Sequence, residues 1–538
     1  MRKITLPLLL ACALLTGCAN NSPAPEQQSS GSTAESTADH TADNTEKPPE
    51  WMDTLPVIRI ETVSQGADAL DFVTKPVARH VAESIASWTP GYQIPPEPSY
   101  QDCRVSIIEP QADALPVPAD AQVKVRGNWT TEYDKKPLRI KFAEKQNMLG
   151  LNDGAEQKNW LLLAEYKDAS LLRDRAALEM ARGLLEPDGL YCSDARLVEV
   201  EINGEYWGVY LLAEQQQISE SRVNITEAEK DYQGTDIGYF LEFDGYYVNE
   251  EPLQAFHVDY ADNAPLTPFD GKGGSGETIT ALPEAPNDPK KNVGITIKND
   301  IYSQAQHDFI AGFVNNVYNI MYHAAYNNQA YKFNADYSEI APADDMTPQQ
   351  AVEAVVNVDS LADMYIVSEM TCDADIYWSS FFMSADFGAD GDKKLTFQAP
   401  WDFDSGLGNK NRCANGTGFY AGNIVPDVNS NEYETVNPWL AVLMYQDWYQ
   451  DVIREKWTKA YDSGVFSDAV KLVNDETAEF AEAFQRNTDK WGISTRDQAV
   501  MNELSKNAKH CLTQKTAAEY LAEWIGNRTA FVNEQWHK

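Results

Sequence analysis

Two short acidic motifs lie near the two-thirds point of the chain. The first, Asp375-Ile-Tyr-Trp-Ser-Ser380, places a carboxylate five residues before a hydroxyl. The second, Trp401-Asp-Phe-Asp-Ser-Gly-Leu-Gly408, places Asp402 and Asp404 on either side of an aromatic ring. Phosphoryl transfer needs one carboxylate to handle an acceptor hydroxyl and others to hold metal ions on the phosphates of a nucleotide. The spacing of the two motifs therefore indicates phosphoryl-transfer chemistry.

The second motif has the features of a metal site. Asp402 and Asp404 are two residues apart, so in an extended segment both side chains point to the same side and can bind one cation. Oxygen ligands of this kind suit Mg²⁺, Mn²⁺ or Ca²⁺. We expect both aspartates to bind metal, with the Ser380 oxygen as a further candidate ligand. The alternative interpretations are a helix cap at Asp375 and an aspartate-rich turn that holds a purely structural Ca²⁺.

The elements that must position these motifs change character along the chain. The first half is strand-rich, and its alternating pattern predicts strands at 123–126, 138–142 and 238–243. Asn203-Gly204 between alternating runs at 197–202 and 206–212 predicts a type I′ hairpin. One helix is expected within this half, at 169–185. After residue 302 the pattern predicts short strands at 380–383 and 394–397 and helices at 304–325, 360–371, 438–462, 467–487 and 514–534.

The segment from 245 to 295 reads as an acidic loop. It contains Gly271-Lys-Gly-Gly-Ser-Gly276, which matches the G-x-G-x-x-G pattern of dinucleotide-binding proteins. It neither follows a clear strand nor opens an obvious helix, so a flexible surface turn is the better interpretation.

The N-terminus has the pattern of a targeting segment. Arg2 and Lys3 precede an apolar stretch at 4–15, and Leu-Thr-Gly-Cys at 15–18 matches a bacterial lipobox. We therefore expect residues 1–18 to be a lipoprotein signal peptide, with Cys18 lipidated after cleavage; an ordinary secretory signal is the alternative. Residues 19–50 are polar and poor in large apolar side chains, which predicts a disordered tether. The protein would then be a lipoprotein of the bacterial cell envelope, facing the periplasm or the exterior, with its body held at the membrane by lipid.

The body is large and acidic. It is longer than one hydrophobic core normally accommodates, so two lobes are expected, a strand-rich one at 53–295 and a helix-rich one at 296–538. The chain has 43 Lys and Arg against 82 Asp and Glu, a formal net charge of −39, which disfavours nucleic acid as a partner. Five cysteines would remain after processing, an odd number, so at least one is a free thiol or pairs between chains. These are Cys103, Cys192, Cys372, Cys413 and Cys511.

Several motifs occur in an order that resembles the CotH family, the spore-coat-protein-H-like atypical secretory kinases. They are VRGNWT at 125–130, KPLRIKF at 136–142, NWLLLA at 159–164, DASLLR at 168–173, VEINGEYWGVYLLAE at 200–214, GYFLEFD at 238–244, DSLADMYIVSE at 359–369 and PWDFD at 400–404. The resemblance implies an α+β, atypical protein-kinase-like fold with a strand-rich N-lobe and a helical C-lobe. It also implies ATP with Mg²⁺ or Mn²⁺ (Ca²⁺ being possible) and phosphorylation of Ser or Thr on secreted or surface proteins.

The resemblance also implies roles for single residues. Asp375 would be the catalytic aspartate, Asp402 the metal-binding aspartate and Asp404 a further ligand, while Arg126 and the turn at Gly127 would cover the phosphates. Lys141 is our candidate for the lysine that contacts phosphate, with Lys124 and Lys136 as rivals. Its acidic partner would be Glu179 on the early helix or, alternatively, Glu214.

The chain departs from the family pattern at two positions. Ser380 stands where many kinases have Asn, and Trp129 stands where the family often has a small hydroxyl residue. The alternative function is therefore a non-catalytic surface protein with the same fold, which binds Ca²⁺ or serves as an envelope scaffold or adhesin.

Overall fold

The computed structural model describes residues 48–63, 66–110, 117–267, 269, 289–410, 413, 415–423, 425–426 and 434–538. The predicted signal peptide, almost all of the predicted tether and the glycine motif at 271–276 lie outside these residues. Pro48–Lys538 forms one compact unit that contains both α-helices and β-sheets.

Seven strands close into a barrel. They are β1 (Val57–Thr62), β2 (Gln101–Ile108), β3 (Ala119–Val125), β4 (Leu138–Gln146), β5 (Gln157–Leu163), β6 (Ala195–Ile202) and β7 (Glu205–Glu214). Their order is β1-β2-β3-β4-β5-β7-β6, and parallel pairing of β1 with β6 closes the ring. Alternate residues such as Val123, Ile140 and Leu162 fill the interior, as the period of two requires.

The β6–β7 hairpin confirms the strongest local prediction. Its two turn residues, Asn203 and Gly204, have φ of 52° and 79°. Both lie in the left-handed region that a type I′ turn demands, which explains why Asn-Gly occurs here.

A second sheet of five strands combines segments that are distant in sequence. The strands outside the barrel are β8 (Gly238–Asp244), β9 (Ala255–Phe256), β10 (Gly294–Ile297), β11 (Tyr331–Phe333), β12 (Ile340–Pro342), β13 (Phe381–Asp386), β14 (Thr396–Phe397), β15 (Val425–Pro426) and β16 (Glu434–Thr435). The order in the second sheet is β14-β13-β8-β10-β9. Two-stranded ribbons form from β11 with β12 and from β15 with β16. The predicted lobe boundary at 295/296 falls inside β10, and the division into two lobes stays a prediction.

Nine helices of six or more residues lie in the described ranges. They are α1 (Arg79–Trp88), α2 (Arg173–Leu185), α3 (Gln304–Tyr322), α4 (Pro348–Glu353), α5 (Val358–Thr371), α6 (Asp447–Ser463), α7 (Val465–Glu479), α8 (Ala481–Trp491) and α9 (Gln514–Trp536). Single helical turns occur at Asp71–Thr74, Leu151–Gly154, Tyr260–Asn263, Pro289–Asn292, Pro438–Ala441, Gln498–Met501 and Lys506–Lys509.

The later helices confirm most of the predicted pattern, with two corrections. The segment predicted as one helix at 438–462 is the turn Pro438–Ala441 followed by α6, and the one at 467–487 is divided between α7 and α8. The predicted early helix begins at Arg173 instead of residue 169, because the Asp168 carboxylate accepts the backbone N–H groups of Ser170, Leu172 and Arg173. Leu171, with φ of 60°, is left-handed just before the first turn, so the helix cannot begin earlier although the apolar periodicity does.

Two further observations concern the cysteines and the helices. None of the five body cysteines, all of which are described, forms a disulfide in the structure, and all except Cys413 are buried. Within the described ranges, no helix combines the length and the apolar character that crossing a membrane would need.

Candidate active site

Three carboxylates from the two acidic motifs converge. Oxygen atoms of Asp375, Asp402 and Asp404 all lie within 4.8 Å of one another. Asp404 is buried, while Asp375 and Asp402 are partly exposed. A divalent cation could contact all three at once, since metal–oxygen distances for Mg²⁺ or Ca²⁺ are about 2.0–2.6 Å.

Backbone geometry at the ends of α5 and β14 sets the positions of these carboxylates. Helix α5 ends at Thr371, Cys372 adopts a left-handed conformation with φ of 47°, and Asp375 opens a short 3-10 turn. The backbone N–H of Leu407 donates to the Thr371 carbonyl at 2.6 Å, which ties the second acidic segment to the end of α5. The two motifs therefore meet because the chain between them, which contains β13 and β14, returns to its starting point.

The segment around Asp402 is strained and firmly anchored. Asp402 has φ of 69°, a conformation that costs a residue other than glycine about 1–3 kcal/mol. Next to it, the Phe403 ring is buried, and its backbone N–H donates to Asp174 Oδ1 on α2 at 2.6 Å. Burial, together with the negative charges of Asp404 and Asp375, raises the pKa of Asp402 well above its ordinary value. Such strain and repulsion are typical of a binding site that a cation would relieve.

Ser380 lies beside this cluster. Its hydroxyl oxygen is 3.5 Å from Asp402 Oδ2, and its backbone N–H donates to Glu242 Oε1 at 3.1 Å. Glu242 is in turn paired with Lys298 at 2.7 Å. The hydroxyl is thus near the cluster but, at this distance, makes only a marginal contact with it.

Two cations face the carboxylates. Lys167 Nζ lies 2.6 Å from Asp404 Oδ1 and donates to the Ser405 hydroxyl at 2.7 Å. Burial is the largest single effect and lowers the pKa of Lys167, but the negative charges of Asp404, Asp375 and their neighbours together hold it well above its ordinary value. Arg126, from the loop after β3, lines the same cleft, where burial lowers its pKa and the negative charge of Asp402 opposes that effect. Both cations are placed where they could contact phosphate oxygens.

The other residues predicted to bind phosphate do not line the cleft that holds Asp402 and Asp404. Gly127 has φ of 100° in the turn after β3. Lys141 is exposed on β4, between the buried Ile140 and Phe142, so it points away from the barrel interior, and it does not line the cleft. Among its rivals, Lys124 lies over the Tyr100 ring at 4.8 Å, and Lys136 donates to backbone carbonyls of its own loop.

Neither predicted glutamate pairs with a lysine in the structure. Glu179 forms an ion pair with Arg175 one helical turn away, at 2.8 Å. Glu214 is fully buried and pairs with Arg222 at 3.0 Å. Glu214 thus has a structural partner on the segment that follows β7.

The structure adds four charged residues that the sequence reasoning did not single out. Lys167, Glu165 and Asp174 line the cleft together with Asp402 and Asp404. Asp373 is fully buried, and its carboxylate oxygens have no side-chain hydrogen-bond partner in the described part of the chain. Burial, together with the negative charges of Asp375 and Asp402, raises its pKa well above its ordinary value. The sequence does contain one signal for Glu165 and Lys167: both follow directly after an apolar strand. Charged residues at the end of a strand often line a cleft.

The donor set fits a divalent cation with a phosphorylated ligand. The cluster contains only oxygen donors, which suit Mg²⁺ or Mn²⁺. The Asp373 carboxyl group, two residues before Asp375, is buried without a hydrogen-bond partner among the described side chains, and the charges of the cluster raise its pKa further. Lys167 and Arg126 border the same cleft and would suit phosphate.

Comparison with known proteins gives the family. No curated protein matches the chain. The model that describes the CotH kinase protein family matches residues 123–532, which include β4–β16 and all three converging aspartates. The match covers well over half of the chain, and the chain therefore belongs to the CotH kinase protein family.

Proposed function

We propose that the protein is an extracytoplasmic protein kinase that transfers the γ-phosphate of ATP to Ser or Thr side chains of envelope or secreted proteins. The observation that carries this proposal is the convergence of Asp375, Asp402 and Asp404 within 4.8 Å, with Lys167 2.6 Å from Asp404. Membership of the CotH kinase protein family supports the proposed activity. We also propose that two lobes flank the cleft, as in protein kinases.

Each residue has a distinct task in this proposal. Asp375, which is partly exposed, orients the acceptor hydroxyl and takes up its proton as the oxygen attacks the γ-phosphorus and the bond to the β-phosphate oxygen breaks. Asp402 and Asp404 would hold Mg²⁺ or Mn²⁺, which neutralises phosphate charge when bound. Arg126 and Lys167 contact phosphate oxygens. Lys167 is favoured over Lys141 because it lies in the cleft with the aspartates.

The test is transfer of radiolabel from γ-labelled ATP to a generic protein acceptor with Mn²⁺ or Mg²⁺. We expect Asp402→Asn and Asp375→Asn to lose at least 100-fold in initial rate, since each removes a charge on which the chemistry depends. The matched control is Asp392→Asn, an exposed aspartate between the two motifs whose carboxylate only caps its own turn. Equal incorporation by wild type and both site variants would overturn the proposal.

A non-catalytic Ca²⁺-binding protein with the same fold is the second candidate. The observation that favours it is Ser380, which offers one hydroxyl at 3.5 Å from Asp402 where many kinases have an amide ligand. It predicts that Ca²⁺ raises the melting temperature and that adding ATP changes nothing. A further rise with ATP would exclude it.

The location and partners belong to the same proposal. The lipobox at 15–18 would place the protein at the bacterial envelope through a lipid on Cys18. Its partners would then be the membrane and protein substrates on the same side of it, and the net charge of −39 disfavours nucleic acid.

A further inference from the structure

Two cysteines that are distant in sequence meet at the end of α5. Cys372 is the residue after α5 and is 1% exposed, while Cys413 lies beyond the second acidic motif and is partly exposed. Their thiol groups are within hydrogen-bond reach of each other, although neither forms a disulfide with a described residue. The sulfur atoms of a disulfide are about 2.0 Å apart, so only a small movement separates this pair from a covalent bond.

Shared contacts with one buried arginine hold the two thiols together. Arg528 on α9 donates from Nε to the Glu369 carbonyl at 2.8 Å and from Nη1 to the Gly418 carbonyl at 2.6 Å. The Cys372 thiol donates to the same Glu369 carbonyl at 3.4 Å. The Cys413 thiol donates to the same Gly418 carbonyl at 3.7 Å. Because one guanidinium group bonds both carbonyls, it positions the two cysteines next to each other.

The backbone also fixes both cysteines. Cys372 and Cys413 have φ of 47° and 44°, in the left-handed region that residues other than glycine rarely adopt. The Cys413 carbonyl accepts the Trp524 indole N–H from α9 at 3.0 Å and the Gly416 backbone N–H at 2.6 Å. The noncovalent structure therefore already holds the pair in position, and oxidation would preserve this arrangement.

The surroundings determine which thiol reacts first. Burial raises the pKa of the Cys372 thiol well above its ordinary value, and the nearby Arg528 guanidinium opposes this effect. Cys372 is also closed off from solvent. Cys413 is partly exposed, so an oxidant meets its thiol before that of Cys372.

The other three cysteines of the body lie elsewhere in the fold. Cys103 is in the interior of the barrel, Cys192 packs against α2, and Cys511 lies just before α9. A bond at the end of α5 would leave these three as thiols, which agrees with the odd number of cysteines in the body.

We propose that Cys372 and Cys413 form a disulfide when the chain meets a disulfide oxidant of the cell envelope. The Cys413 thiol loses its proton and attacks one sulfur of the oxidant, whose other sulfur leaves as a thiolate and takes up a proton. The Cys372 thiol then loses its proton as its sulfur attacks that of Cys413 and displaces the second thiol of the oxidant. Two electrons and two protons thus pass to the oxidant, which becomes two thiols.

The bond would close a covalent loop around the candidate site. This loop runs from Cys372 to Cys413 and contains Asp375, Asp402 and Asp404. A disulfide stabilises a fold mainly by restricting the unfolded chain, and its effect increases with the length of the loop. The bond would therefore favour the folded arrangement of the three carboxylates, whether or not the protein transfers phosphate.

The experiment is disulfide mapping of the full-length protein after incubation with oxidised glutathione. The reaction is quenched with acid, the remaining thiols are alkylated in denaturant, and the digested chain is analysed by mass spectrometry. We expect a cross-linked peptide pair that joins Cys372 to Cys413, together with alkylated Cys103, Cys192 and Cys511. Recovery of Cys372 and Cys413 as alkylated thiols, as separate glutathione adducts or in bonds to other cysteines would overturn the inference.

A variant and a matched control distinguish this pair from general thiol oxidation. Cys413→Ser should remove the cross-link and leave Cys372 as an alkylated thiol, because the oxidant cannot reach it directly. Cys511→Ser changes a cysteine outside the pair and should give the cross-link in the same yield as wild type. Loss of the cross-link in Cys511→Ser would contradict direct pairing of the two thiols.

Thermal unfolding tests the effect of the closed loop. Oxidised wild type should melt at a higher temperature than the same protein reduced with dithiothreitol, because only the oxidised form has the restricted unfolded chain. Cys413→Ser should melt at the same temperature in both conditions. Equal melting temperatures for oxidised and reduced wild type would contradict the stabilising effect of the bond on the site.

Discussion

At the residue scale, the candidate site in the structure contains a lysine, Lys167, other than the Lys141 that we expected from the sequence. Lys167 lies 2.6 Å from Asp404, while Lys141 is exposed on the outer face of β4. We expect Lys167→Met to lower the initial rate of phosphate transfer by about 100-fold or more, as removal of a single charge-stabilising group commonly does. Lys141→Met is the matched control, and its initial rate should stay within about twofold of the wild-type rate. Radiolabel incorporation at saturating ATP measures both, and a larger loss in Lys141→Met would reverse the assignment.

A second residue-scale prediction concerns Lys135. Burial lowers its pKa to about 7 from an ordinary value of 10.5, although Glu165 opposes this. A neutral amine has two N–H groups, and the structure gives it two acceptors, the carbonyls of Ala164 and Val209. Between pH 7 and 9 the unfolded chain therefore binds more protons than the folded one, so the free energy of unfolding contributed by this group rises with pH.

Lys135→Met should remove that rise. Urea unfolding at pH 7, 8 and 9 measures the free energy of unfolding of both proteins. The wild-type value minus the variant value should increase with pH. A constant difference would mean that Lys135 stays charged in the folded state.

At the element scale, a buried ion pair connects α9, the last long helix, to α5, the helix that precedes Asp375. Arg528 on α9 pairs with Glu369 on α5, and both side chains are essentially fully buried. Glu369 also accepts the backbone N–H groups of Tyr420 and Ala421, each at 2.8 Å. Glu369 lies three residues before Cys372, in the last turn of α5. The network therefore holds the end of α5 in place and supports the segment that contains Asp375.

Breaking this pair should be costly. We expect Arg528→Met to lower the free energy of unfolding by about 3–5 kcal/mol, because it leaves the Glu369 carboxylate buried without its cation. Lys515→Met, which removes an exposed pair with Glu519 on the same helix, should change it by less than about 1 kcal/mol. Chemical denaturation measures the free energy of unfolding of both variants. Similar losses in the two would show that the buried pair stabilises the fold no more than the exposed one.

Local signals explain which elements could be predicted from the sequence. The β6–β7 hairpin was predictable because Asn203-Gly204 specifies its own turn, and Asp402 and Asp404 were recognisable because one short motif holds both. Glu165 and Lys167 were missed because their proximity to those aspartates depends on pairing between distant segments. The break between α7 and α8 was missed because the apolar period continues through it.

At the whole-molecule scale, the first testable property is attachment to a membrane. If the lipobox is processed, wild type should fractionate with membranes in a bacterial host and Cys18→Ala should be released into the soluble fraction. Detergent phase separation followed by immunoblotting measures this. Cys12→Ala, which changes a cysteine inside the apolar stretch, is the matched control and should remain with the membranes. Membrane association of Cys18→Ala equal to wild type would contradict the lipid anchor.

The closure of the barrel has a practical consequence for producing the protein. The family match begins at residue 123, inside β3, whereas the ring is completed by β1, which pairs with both β2 and β6. A fragment cut at the family boundary would lack β1 and β2 and expose unpaired backbone along β6 and the remainder of β3, and such edges promote aggregation. Expression boundaries should therefore be set before Val57, so that insolubility of a shorter fragment is not mistaken for an inactive enzyme.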